Sequence, residues 1–163
     1  LRGQHLIWRA MTHSPKLPAI HNEQRKCKML GSHVGSISGP TSMKSISAVN
    51  GMPTFETTAS GLSGTLAGAE VTSFATYNAT MRADGSFYGE CPNAGVIMTA
   101  DGVATFRATG IGHPTAEGGF VFKGVAYFET NAASLASLNG KAVVYDWDVS
   151  PDGTAQWELW EKA

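Results

Sequence analysis

From Gly31 onward, apolar and polar residues alternate in short runs, the period of a strand with one face buried and one face wet. Candidate strands cover 33–38, 43–50, 53–60, 69–82, 86–99, 103–111, 118–130, 141–149 and 154–161. The breaks are Gly39-Pro40, Asn50-Gly51, the stretch from Gly61 to Gly68, His113 to Gly118, and three Asp-Gly turns at Asp84, Asp101 and Asp152. An Asp-Gly pair between runs rich in β-branched and aromatic residues signals a hairpin, because Gly supplies the positive φ that the turn requires. Only 132–139 reads as helical, and Asn139-Gly140 closes it. Short strands joined in series favour an antiparallel meander. Eight or nine of them would close into an all-β, up-and-down barrel, which removes exposed edges, with one short helix. A two-sheet β-sandwich is the rival architecture.

The last hairpin fixes a register. Ser150-Pro151-Asp152-Gly153-Thr154 fits a type I turn with Gly in the left-handed position, a three-residue loop with a bulge. Trp147 then opposes Trp157, Asp146 opposes Glu158, Asp148 opposes Gln156 and Tyr145 opposes Leu159. One face is aromatic and aliphatic and the other polar, and a slip of one residue would mix them. The same count about Asp101 sets Val96 against Phe106 and Met98 against Ala104 on one side. Gly95 then faces Arg107 and Ile97 faces Thr105 on the other. In 118–130, Phe120, Phe122, Ala126 and Phe128 share a face opposite Lys123, Tyr127 and Glu129.

The chain's 163 residues suffice for one domain with a real core. Its net charge of −1 hides an asymmetry. Residues 1–30 carry six Lys or Arg against Glu23 alone, and read as a basic leader, flexible or non-native, and a poor signal peptide. Residues 31–163, the barrel domain, carry twelve carboxylates against six Lys or Arg. Such a domain is a poor nucleic-acid binder, since phosphate contacts need clustered cations. No run of eighteen apolar residues exists, so no transmembrane helix is expected. Cys27 and Cys91 are the only cysteines, which suits free thiols in a reducing cytoplasm.

Candidate chemistry begins with the aromatic face. Phe106, Phe120, Phe122, Phe128, Tyr145, Trp147 and Trp157 could line a cup, and Ala75, Ala79, Ala104, Ala108 and Ala126 leave room for a ligand. A barrel of about eight strands is either filled by side chains or holds one small molecule. Asp146 opposite Glu158 is a like-charge pair that a cation would relieve, and Asp148-x-Ser150-x-Asp152-Gly153 begins like a calcium loop. The likeness fails at Leu159, where a bidentate Glu belongs. Asp146, Asp148 and Glu158 are therefore the candidate metal ligands, for calcium, against a solvated acidic face; no cofactor is required. Arg107, Glu158 and the loop residue His113 are the candidate catalytic groups, although nothing marks a partner for His113. Nucleophile-elbow, zincin, phosphate-loop and zinc-cysteine motifs are all absent.

Five segments carry a resemblance: Tyr88-Gly89-Glu90, Gly95 to Thr99, Gly110-Ile111-Gly112-x-Pro114-Thr115, Leu135-Ala136-x-Leu138-Asn139, and Trp157 to Glu161. With these the chain from about Gly31 resembles a group of small prokaryotic β-barrel proteins without an established reaction, similar in pattern to lipocalin-like and allene-oxide-cyclase-like barrels. Cys91-Pro92-Asn93-Ala94 departs from the Gly-rich run of that pattern. The resemblance implies the barrel fold, and with the aromatic face the leading expectation is a barrel that binds a small apolar, hydrophobic or amphipathic molecule. The alternatives are an enzyme on such a molecule (a lactone or ester hydrolase, or an isomerase, with or without a metal) and an oligomer-forming domain.

Overall fold

The structure, a computed structural model, describes residues 31–162, so the basic leader, with Cys27, lies outside the described residues. Eight antiparallel strands form a closed up-and-down barrel in sequence order: β1 (His33–Val49), β2 (Met52–Leu66), β3 (Ala69–Met81), β4 (Phe87–Thr99), β5 (Gly102–Pro114), β6 (Phe120–Thr130), β7 (Val143–Val149) and β8 (Thr154–Glu161). A short 3₁₀ helix, Ala133–Leu138, joins β6 to β7. No helix among the described residues is long and apolar enough to cross a membrane.

Eight strands form, within the expected eight or nine: Gly39-Pro40 is an irregularity inside β1 that joins 33–38 to 43–50, while Gly61 lies inside β2 and the break falls at Ala67-Gly68. Register shifts fall between Ser38 and Thr41 in β1 and between Ser60 and Leu62 in β2. Pro is tolerated there because a bulge suspends the ladder that a missing N–H would break. The β1–β2 connection is the two-residue turn Asn50-Gly51, with φ of 52° and 76°, the left-handed pair that a tight hairpin demands.

The three Asp-Gly turns differ in kind. Asp84 and Asp152 each accept the N–H two residues on, from Ser86 (3.0 Å) and Thr154 (2.9 Å), and stabilise three-residue loops closed by Arg82 N–Ser86 O and Ser150 N–Thr154 O bonds. The register of the last hairpin is as the sequence implies, with Trp147 opposite Trp157 and Asp146 opposite Glu158. Asp101 instead turns its carboxylate to the 3₁₀ helix, accepting from Ser134 N (2.9 Å) and Ser134 Oγ (2.6 Å). Its loop has two residues, and Thr99 pairs with Gly102. The expected count about Asp101 is thus wrong by one residue. Gly95 opposes Phe106 and Ile97 opposes Ala104 on the inside, while Val96 and Met98 point outward.

The strands are steeply tilted. Opposite partners lead from Ile37 through Trp157, Trp147, Phe122, Gly112 and Phe87 to Met81. Beside Met81, Thr80 pairs with Thr54 and Thr54 with Ile46, nine residues beyond the start on β1. Closure of a barrel requires such a stagger. Its consequence is that β8 leaves β1 at Pro40, and β1 beyond that point rises alone with β2 as a wall of one mouth. This mouth, with the β1–β2, β3–β4, β5–β6 and β7–β8 turns, is called the upper end.

The lower half is solid. Ile37, Leu62, Leu66, Ile97 and Leu159 are fully buried, and Leu135 and Leu138 of the 3₁₀ helix join the same core. Large rings lie over glycines of the next strand. Phe106 covers Gly95, Phe122 covers Gly112 and Tyr145 covers Gly124, each pair directly opposite in its ladder. A Cβ at Gly95 would lie 2.3 Å from the Phe106 ring. These glycines provide the hollows that let eight strands enclose so many rings.

Candidate functional site

Small inward residues and a break in the stacking of rings leave space in the upper half. An upper cup of about 250 Å³ is walled by Thr41 and Met43 of β1, Phe55 and Thr57 of β2, Tyr77 and Ala79 of β3, and Phe87 and Phe120. Gly118-Gly119 and Ser150 to Gly153 form its rim. Below lies a smaller inner cavity of about 60 Å³, bordered by Ala59, Ala75, Cys91, Phe106, Tyr145 and Trp157 among others. Tyr77 and Phe122 border both spaces and form the partition between them.

The partition is held by a defined contact. Trp147 Nε1 donates to the Tyr77 hydroxyl at 3.0 Å, and the two rings meet edge to face, with centroids 6.0 Å apart. Burial raises the Tyr77 pKa, partly offset by hydrogen bonds from Thr57 and Trp147. Burial likewise raises Tyr145 and keeps the Cys91 thiol protonated, which makes it a poor nucleophile. Phe55, Phe87 and Phe120 form a row along the cup, with centroid separations of 6.0 and 5.6 Å. No Lys, Arg or His lines either space among the described residues.

The seven aromatic candidates divide between these spaces. Phe120 and Phe122 line the cup, and Phe106, Phe122, Tyr145, Trp147 and Trp157 line the inner cavity. Phe128 lines neither; it packs on Phe106 and Trp157 at 5.6 and 6.2 Å. Trp147 and Trp157 are both buried, 6.1 Å apart. Thr57, Tyr77, Phe55 and Phe87 escaped the sequence reading. The alternation Val71, Ser73, Ala75, Tyr77, Ala79 carried the signal: one large polar ring among small residues on an inward face.

The polar candidates lie elsewhere. Arg107 is exposed opposite Tyr127, His113 is exposed opposite Val121, and Glu158 is on the outer face of β8. None lines the cup or the inner cavity. Asp146 and Glu158 are cross-strand partners, but each has found its own neighbour. Lys123 Nζ donates to Asp146 at 2.7 Å, while Glu158 accepts from Ser36 Oγ, Gln156 Nε2 and the His33 ring, each at 2.7 Å. Burial raises the Glu158 pKa, but these bonds outweigh it and the net shift is downward. Among the described residues no three His, Cys, Asp or Glu side chains converge on a metal position. Lys123 and the hydrogen bonds to Glu158 relieve the like-charge pair.

One irregularity opens the wall. Both ladders of β4 are interrupted between Cys91 and Gly95, with Asn93 at φ 60°. The departure of Cys91-Pro92-Asn93-Ala94 from the Gly-rich pattern thus coincides with a bulge. A lateral recess of about 220 Å³ follows, bordered by Arg107, Tyr127 and Asn93, and it shares Glu90, Cys91 and Ala108 with the inner cavity.

No protein-family description matches the chain, and no curated protein matches it. The fold is similar to that of a conserved protein of unknown function from Rhodopseudomonas palustris, with a TM-score of 0.68 and 13% identity over 81% of this chain and 96% of that one. At that identity the likeness shows the fold alone.

Proposed function

We propose that the protein binds a small apolar or amphipathic molecule in the upper cup, in the general manner of lipocalin-like barrels. The cup itself carries this reading: below it the barrel is filled apart from the inner cavity of about 60 Å³, and about 250 Å³ is left at one open end, lined by Phe55, Phe87 and Phe120. Ligand pockets are concave, mostly apolar and furnished with a few polar groups, commonly at about 300–1,000 Å³. The cup lies just below that range, so its ligand is smaller than a drug-sized molecule. Binding is favoured over catalysis because His113, Arg107 and Glu158 all lie outside the lining. The buried thiol of Cys91, unpaired among the described residues, suits a reducing compartment such as the cytoplasm.

Fluorescence titration with an environment-sensitive naphthalene dye tests the reading. The dye should bind with a blue shift and be displaced by small neutral hydrocarbons. Ala79→Phe, which projects a ring into the cup from a buried position on β3, should weaken binding at least tenfold while the barrel stays folded. A folded wild-type protein that leaves the dye in water, or a variant that binds it equally well, would overturn the proposal.

A further inference from the structure

We infer that the ligand of the cup is an uncharged molecule bearing a hydrogen-bond acceptor, such as a ketone, ester or ether oxygen, and that the Tyr77 hydroxyl donates to that oxygen. This rests on the cup being a binding site and names the chemistry it selects.

The polarity of the Tyr77–Trp147 bond is fixed by the groups themselves. An indole N–H only donates, so at 3.0 Å the Tyr77 oxygen must be the acceptor. A phenol keeps one proton to give. With one lone pair held by Trp147, that proton is turned away from the indole, to the side where the Thr57 hydroxyl shares a hydrogen bond with the phenol. Thr57 lines the upper cup and not the inner cavity, so the side of the phenol away from the indole faces the cup, where a ligand oxygen can take the proton in place of Thr57. Tyr77 is the one phenol in the cup's lining, and Phe55, Phe87 and Phe120 offer no competing donor. Burial raises its pKa, so it stays a protonated donor throughout the physiological range.

Charge narrows the ligand further. No cation lines the cup among the described residues, and its single carboxylate, Asp152, lies at the rim. A carboxylate ligand would lose its hydration without gaining a partner, and would meet Asp152 on the way in. The cup therefore selects against fatty-acid-like anions. A neutral carbonyl satisfies the phenol and leaves nothing charged to desolvate.

Three dyes with one ring system separate these contributions: dimethylaminonaphthalene, its propionyl ketone and its carboxylate. The ketone should bind tightest and the carboxylate weakest. Tyr77→Phe should weaken the ketone roughly threefold to tenfold, the worth of one neutral hydrogen bond, and change the parent arylamine, which lacks the carbonyl, less than twofold. Should Tyr77→Phe fail to fold, the infrared carbonyl stretch of the ketone bound to wild-type protein decides. It should be lowered from its value in hydrocarbon solvent, as a hydrogen-bonded carbonyl is. Equal affinities for the ketone and the parent arylamine, an unshifted carbonyl stretch, or preference for the carboxylate would overturn the inference while the cup remained a binding site. Failure of all three dyes would overturn both.

Discussion

Gly95→Ala should destabilise the barrel severely for a one-carbon change. The new Cβ would lie 2.3 Å from two atoms of the Phe106 ring and 2.5 Å from a third, where ordinary contact begins at 3.4 Å. The ring would have to retreat by about an ångström, in an interior packed as densely as an organic crystal. Its retreat is blocked by Trp157 at 5.0 Å and Phe128 at 5.6 Å between centroids. Backbone strain does not enter, since Gly95 is not among the positive-φ glycines. Overpacking of this kind costs about 1–3 kcal/mol. For a domain of this size that lowers Tm by roughly 4–11 °C. Circular dichroism during thermal and urea unfolding measures both quantities. Phe106→Leu in the same chain should restore room, so the double variant should be more stable than the two single losses predict, by about 1 kcal/mol. A Gly95→Ala protein within about 0.3 kcal/mol of wild type, or strict additivity with Phe106→Leu, would refute the ring-over-glycine account.

Other consequences follow from the turns and the outer face. Asp84 and Asp101 are held below the ordinary carboxylate range by hydrogen bonds from the Ser86 and Ser134 side chains, and Asp152 by the Thr154 backbone N–H. The unfolded chain binds protons more readily at these sites, so their stabilisation is present above the ordinary carboxylate pKa and is lost as pH falls through the depressed folded values. Asp101→Asn should lower stability at neutral pH and flatten the acid limb of a Tm-against-pH curve; an unchanged limb would count against the Ser134 contact. Glu158→Gln should flatten it similarly, because the folded Glu158 pKa is also lowered. Calcium and chelator should give coincident melting curves, since Lys123 already pairs with Asp146 and Glu158 is held by hydrogen bonds from Ser36, Gln156 and His33, and a calcium-dependent rise in Tm would contradict that. Trp157→Ala removes a buried ring in contact with Phe106, Tyr145 and Trp147, and should cost about 3–5 kcal/mol in urea unfolding.

The barrel was legible wherever local chemistry alone sets geometry. Ser150 to Thr154 carries Pro, Asp and Gly at the positions one loop type demands, and the pairing of Trp147 with Trp157 followed by counting. The same count failed at Asp101 because Ser134, thirty-three residues away, captures the carboxylate that elsewhere braces its own turn. Nothing near Asp101 in sequence reports that partner. Gly39-Pro40 and Gly61 looked like chain breaks because a bulge and a break use the same residues, and only the neighbouring strands decide between them. For the site, counting found the rings that fill the barrel more readily than those that line its empty part. Emptiness depends on tilt, which carries β1 past the end of β8 and opens the upper mouth. Tyr77 takes its place in the partition only beside Trp147, seventy residues away, through a hydrogen bond that neither segment signals by itself.

The central claim is that the upper cup, rather than another apolar surface, is where a ligand sits. The rival surface is the outer patch of Phe74, Val96, Met98 and Val103, which are exposed neighbours on β3, β4 and β5. A crystal structure of the protein soaked with a brominated aromatic ketone separates the two through the bromine's anomalous signal. The account predicts one strong peak between Phe55, Ala79 and Phe120, with the ketone oxygen within hydrogen-bond reach of the Tyr77 hydroxyl. Peaks confined to the outer patch, with the cup holding only water, would contradict it.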